Sequence, residues 1–147
     1  DTIGLSNAVL DVFAEWYDTN VQDPLTGEDR PFSGYSEWEL GLDFRQTFPA
    51  LQIAWGWDYH WVSDRRVFLA QEQRLHNNTD GDLDLYIETT RWGGVTTRLG
   101  VDGLLNNGDD RERVFYAGSR AAGVVDAIEH RNESSGASWY LRVRGTF

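Results

Sequence analysis

Apolar and polar side chains alternate along several stretches of this chain. The clearest stretch is 51–61, where every second residue from Leu51 to Trp61 is aliphatic or aromatic and the residues between them are small or polar. A period of two places successive side chains on opposite faces of a β-strand. The pattern predicts six strands, at residues 7–17, 36–48, 51–61, 82–92, 95–105 and 138–147.

The connections between these strands alternate between short and long. Tight turns are expected at 48–50, which contains Pro49, and at 92–94, which contains Gly93 and Gly94. The connections at 18–34, 62–81 and 106–137 are long and polar. Within the last of them, residues 113–117 could extend the fifth strand, and residues 124–130 form either an extra strand or one helical turn. Residues 1–147 show no sign of a second domain.

Two environments produce strands with one apolar and one polar face. A soluble sandwich buries the apolar face, whereas a transmembrane barrel turns it towards lipid and the polar face towards a wet interior. Strand length favours the barrel, because about nine to eleven tilted residues cross the hydrocarbon layer. Ionised groups such as Asp43, Asp58 and Arg98 occupy nearly every polar face. We therefore expect an antiparallel transmembrane β-barrel segment, with a soluble β-sandwich as the alternative.

Large aromatic residues are a further reason to favour the membrane. Trp and Tyr prefer the level of the lipid headgroups, and many of them lie near predicted strand ends. Four follow one face of strand 51–61, which is hard to pack into a soluble core shared with five other strands. The residues that we assign to the membrane interface are Trp16, Trp38, Trp55, Trp57, Tyr59, Trp61, Trp92 and Trp139.

Composition narrows the classes of function. The chain has 147 residues, with 13 basic residues, all of them arginine, against 24 acidic ones, so its net charge is -11. This charge disfavours a nucleic-acid partner. The absence of cysteine excludes a disulfide framework and a thiol nucleophile. The sequence shows neither a signal peptide nor an apolar run long enough for a transmembrane helix, and the absence of methionine predicts a processed or partial chain.

The C-terminal residues resemble the last strand of bacterial outer-membrane barrels. Apolar residues alternate through Trp139, Leu141 and Val143, and the sequence ends on an aromatic residue, Phe147. In those barrels this strand is the signal that the barrel-assembly machinery recognises. The resemblance therefore gives these four residues the role of an assembly signal.

Other stretches are similar to one family, the TonB-dependent outer-membrane receptors. Residues 98–106 resemble the penultimate strand of the family, although Gly103 stands where the family has asparagine. Residues 23–27 with Arg30, and the short stretches 44–46 and 54–56, are similar to proteobacterial members.

The resemblance implies a fold, partners and a location. Residues 1–147 would supply about six C-terminal strands of a larger barrel, one of twenty-two strands in this family, while the plug domain and the other strands lie outside this sequence. Its partners would be membrane lipid, the rest of the barrel, the barrel-assembly machinery and, through the absent N-terminal part, the TonB energy-coupling protein. Counting strands back from Phe147 places the C-terminus and the tight turns in the periplasm and the long connections outside the cell.

Basic and aromatic residues in the last long connection are candidates for ligand contact. Arg111, Arg113, Tyr116 and Arg120 would suit an anionic or catecholate ligand. The alternative is that these arginines form ion pairs with acidic residues of the same connection, at Asp109, Asp110, Glu112 and Glu129.

Three further patterns have a chemical and a plainer interpretation. Asp58 and His60, with Ser63 nearby, could form a hydrolase site, and Glu37 and Glu39 a glycosidase pair. Both sets also fit a charged barrel wall, which we prefer. The oxygen-rich loops 77–82 and 106–110 could bind calcium, but solvated turns are the preferred interpretation. We expect no catalytic residue, no cofactor and no metal.

The function expected from the sequence is active transport rather than catalysis. A TonB-dependent receptor takes up a bulky, scarce nutrient such as an iron–siderophore complex, and this chain would contribute barrel wall and external loops. The alternative is a small eight-stranded outer-membrane barrel for adhesion or anchoring, which would need additional strands at 67–74 and 113–117. An outer-membrane hydrolase is a third hypothesis.

Overall fold

A computed structural model describes residues 5–77, 80–105 and 108–145. In these ranges the chain is all-β, with no α-helix and two single turns of 3-10 helix at Pro49–Leu51 and Arg120–Ala122. None of the described segments is a helix that could span a membrane. The strands are β1 (Ala8–Trp16), β2 (Val21–Gln22), β3 (Asp29–Arg30), β4 (Trp38–Phe48), β5 (Ile53–Val62), β6 (Arg65–Phe68), β7 (Glu72–Asn77), β8 (Asp82–Trp92), β9 (Val95–Asp102), β10 (Gly108–Tyr116), β11 (Val125–Ser134) and β12 (Ser138–Gly145).

Six long strands form the main sheet, in the order β1-β4-β5-β8-β9-β12. Every neighbouring pair is antiparallel, so the chain runs up and down through the sheet. The two tight turns therefore lie at one end of the main sheet and the three long connections at the other. The prediction of an all-β, antiparallel fold with six long strands is confirmed.

The strand boundaries differ from the predicted ones in ways that have local causes. β4 begins at Trp38 rather than at residue 36, because Ser36 forms an isolated bridge with Arg65 in the second long connection. β9 ends at Asp102, since Gly103 has a positive φ and turns the chain out of the sheet. β12 is described to Gly145, so the predicted role of Phe147 lies outside the described residues.

The register sorts side chains onto an apolar and a charged face of the main sheet. Residues opposite each other in an antiparallel pair project to the same face. One row of the apolar face, read across the six strands, is Leu10, Phe44, Trp57, Leu85, Val101 and Trp139. The next row on the opposite face is Val9, Arg45, Gly56, Tyr86, Gly100 and Tyr140.

No second layer covers the apolar face in the described part of the chain. Its best-packed region is centred on Phe44, which is buried and whose ring lies 5.2 Å from that of Trp55 and 5.8 Å from that of Trp57. At the β12 side the face is open: Trp139 is 71% exposed and Leu141 is 68% exposed. The chain thus forms an amphipathic sheet and not a globule around a core.

A β-bulge near the second tight turn decides the direction of Trp92. Simple alternation along β8 would place this residue on the charged face. The register shifts between Thr89 and Trp92, so that Trp92 pairs with Val95. Val95 shares the apolar face with Leu99, and the bulge therefore adds Trp92 to the apolar face at its turn end.

The long connections contain secondary structure of their own. β6, β7, β10 and β11 form a second antiparallel sheet in the order β11-β10-β7-β6, called the loop sheet below, and β2 with β3 form a small hairpin. The segment 124–130, predicted as a strand or a helical turn, belongs to strand β11.

The strands required by the eight-stranded alternative are not part of the main sheet. That alternative needs one strand at 67–74, but these residues turn back on themselves, since Leu69 N–H donates to the carbonyl of Glu72 at 2.8 Å. Of residues 113–117, all but the last fall in β10, which pairs with β7 and β11 and does not extend β9. The structure therefore gives no support to an eight-stranded wall made by this chain.

Candidate functional site

The three long connections meet at one end of the main sheet, and charged side chains hold them together. Asp23, in the first connection, is 1% exposed. It accepts hydrogen bonds from Arg30 Nε at 2.7 Å and from Arg120 of the third connection at 2.5 Å. Both guanidinium groups lie over the ring of Phe68 from the second connection, at 4.7 and 5.3 Å. We call these four residues the Asp23 cluster.

Hydrogen bonding explains how the Asp23 carboxylate is kept ionised at this position. Besides the two arginines, the backbone N–H groups of Leu25 and Thr26 donate to its Oδ1. The hydrogen bond from Arg120 is the largest cause that lowers the pKa of Asp23 below its ordinary value. Arg120 also donates to the carbonyl of Leu69 at 2.6 Å, so one side chain joins all three connections.

A second buried carboxylate organises the loop sheet. Glu72, at the start of β7, accepts hydrogen bonds from Arg74 Nε at 2.6 Å and from Arg113 Nε at 2.5 Å. These two arginines, Arg74 first, lower the pKa of Glu72 from 4.5 to about 2. Arg113 lies on β10 and also pairs with Glu129 on β11 at 3.4 Å. Glu72 therefore links β7 to β10 directly, and Arg113 extends the link to β11.

The structure brings the predicted ligand-contact arginines into ion pairs. Arg120 belongs to the Asp23 cluster and Arg113 binds Glu72 and Glu129. Arg111 lies 3.9 Å from Asp109, and its Nε is a buried N–H without an acceptor in the described part of the chain.

These contacts favour the ion-pairing alternative for Arg113 and Arg120. Glu129 is among the partners predicted from the sequence, whereas Asp23 and Glu72 are not. Tyr116 is half-buried, and its backbone N–H donates to the carbonyl of Gln71 at 2.9 Å. The ligand role of these residues stays a prediction.

A cleft of about 480 Å³ lies between the first and second long connections. Its walls carry two tyrosine side chains, three carboxylates and one guanidinium group, from Tyr17, Tyr35, Asp18, Glu37, Asp64 and Arg66. It was not predicted, because its residues come from segments that are far apart in the sequence.

The charged face of the main sheet carries a row of aspartates. Asp11, Asp43, Asp58 and Asp84 lie opposite one another across four consecutive strands. Asp102 follows Val101, which pairs with Leu85, so it continues this row on β9. Like charges in directly opposed positions are unfavourable, so the row has an electrostatic cost within this sheet.

Nearer the tight turns, the same face carries paired charges. Glu88 accepts from Arg98 at 2.7 Å and also binds Arg45. Arg45 in turn donates to the hydroxyl of Tyr86 at 3.2 Å, and the guanidinium group of Arg98 lies 4.0 Å from the Tyr86 ring centre. A dense network of ion pairs thus fills this part of the charged face.

The proposed hydrolase residues do not form the expected contacts. His60 Nε2 lies 2.8 Å from Glu39 Oε1. The hydroxyl of Ser63 accepts the backbone N–H groups of Glu37 and Trp38 at 3.0 Å, so it serves as a backbone acceptor. Glu37 accepts the indole N–H of Trp16 at 3.2 Å. Each of these polar groups has a structural partner.

The described residues contain no group of three acidic or histidine side chains placed to hold a metal ion. The two loops considered for calcium include residues 78–79 and 106–107, which lie outside the described residues, so those interpretations stay predictions.

The aromatic residues assigned to the membrane interface occupy different levels of the apolar face. Trp16 and Trp38 form a pair at the loop end, with ring centres 6.0 Å apart, and Trp61 lies opposite Leu40 near them. Trp92 lies at the turn end. Trp55, Trp57, Tyr59 and Trp139 fall between these levels by their register. The interface role fits the two ends of the face best, and it stays a prediction.

Comparisons of the chain with profiles of known protein families, with characterised proteins and with solved structures give no match.

Proposed function

We propose that this chain is a C-terminal part of the wall of a transmembrane β-barrel in the bacterial outer membrane, belonging to a TonB-dependent receptor. The observation that carries the proposal is the amphipathic main sheet. One face is aliphatic and aromatic across all six strands and lies open, while the other is densely charged. Lipid on one side and a wet interior on the other satisfy both faces.

A monomer in water would keep this apolar surface exposed. Contiguous apolar patches larger than a few hundred Å² are rare on soluble monomers, and burial contributes about 25 cal/mol per Å². Trp139, Leu141 and Val143 alone form an uninterrupted exposed stripe along β12. Contact with lipid removes that surface from water without requiring another protein layer.

The asymmetry between the two ends of the main sheet supports the receptor assignment. Short turns at one end and long, folded connections at the other are typical of outer-membrane barrels, in which the long connections face the outside. In this orientation the tight turns are periplasmic, and the loop sheet and the Asp23 cluster are external. The function is uptake of a bulky, scarce nutrient such as an iron–siderophore complex, without catalysis.

The open strands at the two sides of the main sheet require partners. Unpaired backbone groups in lipid cost several kcal/mol each, so β1 and β12 must pair with further strands, supplied by the rest of the barrel. The plug domain and the segment that binds TonB belong to that remainder. The barrel-assembly machinery recognises the C-terminal strand, including Trp139, Leu141 and Val143.

Paired spin labels on adjacent residues of β12 test the membrane assignment. Because the chain has no cysteine, Leu141→Cys and Arg142→Cys place a nitroxide on the apolar and the charged face respectively, in the protein reconstituted into lipid vesicles. We expect the label at 141 to be relaxed by oxygen and the label at 142 by a water-soluble nickel complex. A label at 141 that neither reagent reaches would instead indicate a buried core and a soluble sandwich.

The mass of the intact protein in outer-membrane extracts tests the receptor assignment separately. The peptide 114–120 identifies the band, since tryptic cleavage after Arg113 and Arg120 releases it. A mass several times 16.8 kDa is expected for a receptor with a complete barrel and a plug. A mass of 16.8 kDa would contradict a single-chain receptor, even if the spin labels report lipid contact.

A further inference from the structure

The cleft between the first and second long connections opens onto the charged face of the main sheet. β1 ends with Trp16 opposite Trp38 on the apolar face. The backbone N–H of Tyr17 then donates to the carbonyl of Glu37 at 2.8 Å, so these two residues continue the alternation on the charged face. The cleft therefore lies where the charged face meets the long connections.

Negative charge dominates the walls of the cleft. Asp18, Glu37 and Asp64 line the cleft with one guanidinium group, that of Arg66, and Glu37 also accepts the indole N–H of Trp16. The carboxylates of Glu15 and Glu39 form the next charged level of the sheet below the cleft, so the negative charge extends beyond the cleft along the same face. The chain as a whole carries -11. Charge of one sign in a concave site raises the local concentration of the opposite sign.

Two tyrosine rings give the cleft a second means of recognising a cation. Tyr17 and Tyr35 are both exposed and both line the cleft. The ring of Tyr35 is held edge-on by Phe32, at 6.1 Å between ring centres. An ammonium or guanidinium group over a tyrosine face is attracted by the ring quadrupole, in addition to its attraction to carboxylates.

We propose that this cleft binds an organic cation, a compound carrying ammonium or guanidinium groups, between Tyr17, Tyr35 and the surrounding carboxylates. This step rests on the proposed function, under which the cleft lies at the external mouth of the barrel. The transported compound would then be a cationic one. This differs from the anionic ligand that the arginines of the third connection suggested. Those arginines are engaged by Asp23 and Glu72.

A neutral sugar is the competing ligand, because sugars also stack on tyrosine and accept hydrogen bonds. Sugar binding needs both donors and acceptors around the hydroxyl groups, whereas ionised carboxylates are acceptors only. Three carboxylates against one guanidinium group give the cleft an excess of negative charge, which attracts a cation and not a neutral sugar. This balance matches the donor-only chemistry of ammonium and guanidinium groups.

Calorimetric titration of the intact protein, purified from its native source, tests the proposal with three probes. Spermidine is the cationic probe, and maltose and citrate are the neutral and anionic ones. Asp18→Asn removes one charge of the cleft, and Tyr35→Ala removes one exposed ring together with its contact with Phe32. Each is expected to weaken spermidine binding about fivefold, the effect of losing one exposed charge or cation–π contact.

The matched control is Asp126→Asn, which makes the same charge change on the exposed strand β11 outside the cleft. It should leave spermidine binding unchanged. Absence of spermidine binding, tighter binding of maltose or citrate, or equal effects of Asp18→Asn and Asp126→Asn would each overturn the proposal. The titration does not depend on the membrane assignment: binding at the cleft with a failed spin-label test would refute the proposed function alone.

Discussion

Glycines on the charged face allow close contact between neighbouring strands. A Cβ atom added to Gly56 would lie 2.4 Å from the backbone carbonyl oxygen of Phe44 and 2.6 Å from the hydroxyl of Tyr86. The tyrosine can swing away, but the carbonyl belongs to the pairing of β4 with β5. This position therefore requires glycine for steric reasons, independently of its backbone conformation.

Gly56→Ala is expected to lower the free energy of unfolding by about 1–3 kcal/mol, the usual cost of overpacking. The measurement is denaturant unfolding in lipid vesicles, followed by tryptophan fluorescence. Gly93→Ala is the control, since nothing lies within 4 Å of its Cβ position. Equal stability of the two variants would mean that β4 and β5 separate easily at this point.

Neutralising one member of the aspartate row tests whether the row lowers the stability of the main sheet. Asp58 lies between Asp43 and Asp84, and Asp58→Asn removes both opposed like-charge pairs while keeping the side-chain shape. We expect the free energy of unfolding to rise by about 0.5–1 kcal/mol, in the same unfolding measurement. A loss of stability would instead show that cations from another part of the protein face the row.

For single residues, the sequence predicts which face of its strand a side chain occupies, but not which side chains lie beside it on the neighbouring strands. Alternation placed Asp11, Asp43, Asp58 and Asp84 on polar faces of their strands, which the structure confirms. That they form one row depends on the register of each pair, and register is set by turns and bulges that a period of two does not reveal. Trp92 shows the same limit, because the bulge reverses its face.

At the scale of the elements, the side chain of Arg120 connects segments that are far apart in the sequence. It contacts Asp23, which is 97 residues away in sequence, and Leu69, which is 51 away. Its side chain is 8% exposed, so solvent cannot replace these contacts in the folded protein. Loss of a hydrogen bond to a buried charge leaves that charge under-solvated.

Arg120→Ala should free the long connections without unfolding the main sheet. Amide hydrogen exchange in β6, β7 and the β2–β3 hairpin is expected to accelerate about tenfold or more, while β5 and β8 keep their protection. Arg131→Ala is the matched control, because Arg131 pairs with Glu133 on the exposed surface and such pairs contribute little. Unchanged exchange in Arg120→Ala would show that the connections are held by backbone contacts alone.

The stability of the loop sheet should depend on pH through Glu72. Its pKa is lowered from 4.5 to about 2 by Arg74 and Arg113, so the folded state binds its proton more weakly than the unfolded state. The stabilisation is therefore complete above the unfolded pKa and is lost as the pH falls through the folded one. Hydrogen exchange in β7 and β10, corrected for intrinsic rates, should stay constant above about pH 5 and accelerate towards pH 2.

The variant Glu72→Gln tests whether Glu72 is the group that makes hydrogen exchange in the loop sheet depend on pH. This variant should show faster exchange in β7 and β10 already at neutral pH, together with a weaker dependence on acid. Glu133→Gln, on the exposed surface, should behave like the parent protein. Full protection of β7 and β10 at pH 2.5 in the parent would exclude Glu72 as the source of the acid sensitivity.

Element prediction succeeded where the environment is uniform along a strand. Most of each strand of the main sheet has one apolar and one polar face, so all six strands were predicted, although Val9 lies on the charged face and a bulge turns Trp92. β6 and β7 lie in the loop sheet, where arginines and a buried glutamate take the place of a clear apolar face. Alternation of hydrophobicity therefore gives no signal there. The carboxylates Asp23 and Glu72 were missed for a related reason: their importance comes from partners far away in sequence.

At the scale of the whole molecule, the distribution of apolar and charged side chains over the described residues supports the proposed membrane location. The apolar face of the main sheet is exposed while some carboxylates are buried, the reverse of the usual distribution. Asp23 and Glu72 lie among the long connections, and Leu10, Leu99 and Leu141 lie open on the main sheet. If lipid covers that face, the apolar side chains contact an apolar medium, and the distribution agrees with the usual one, in which apolar side chains avoid water.

Two Leu→Arg substitutions test whether the apolar face of the main sheet contacts lipid or water. Leu99, in the middle of β9, is 47% exposed, and Leu51, in the first tight turn, is 49% exposed. In water both changes would be nearly neutral, within about 0.5 kcal/mol, because both sites are open. In a membrane Leu99→Arg should cost about 2–4 kcal/mol near the midplane, while Leu51→Arg should cost about 0–1 at the interface. Unfolding of the protein from lipid vesicles measures the difference directly. Equal costs at the two positions would place both in the same solvent and would contradict the orientation of this sheet across a membrane.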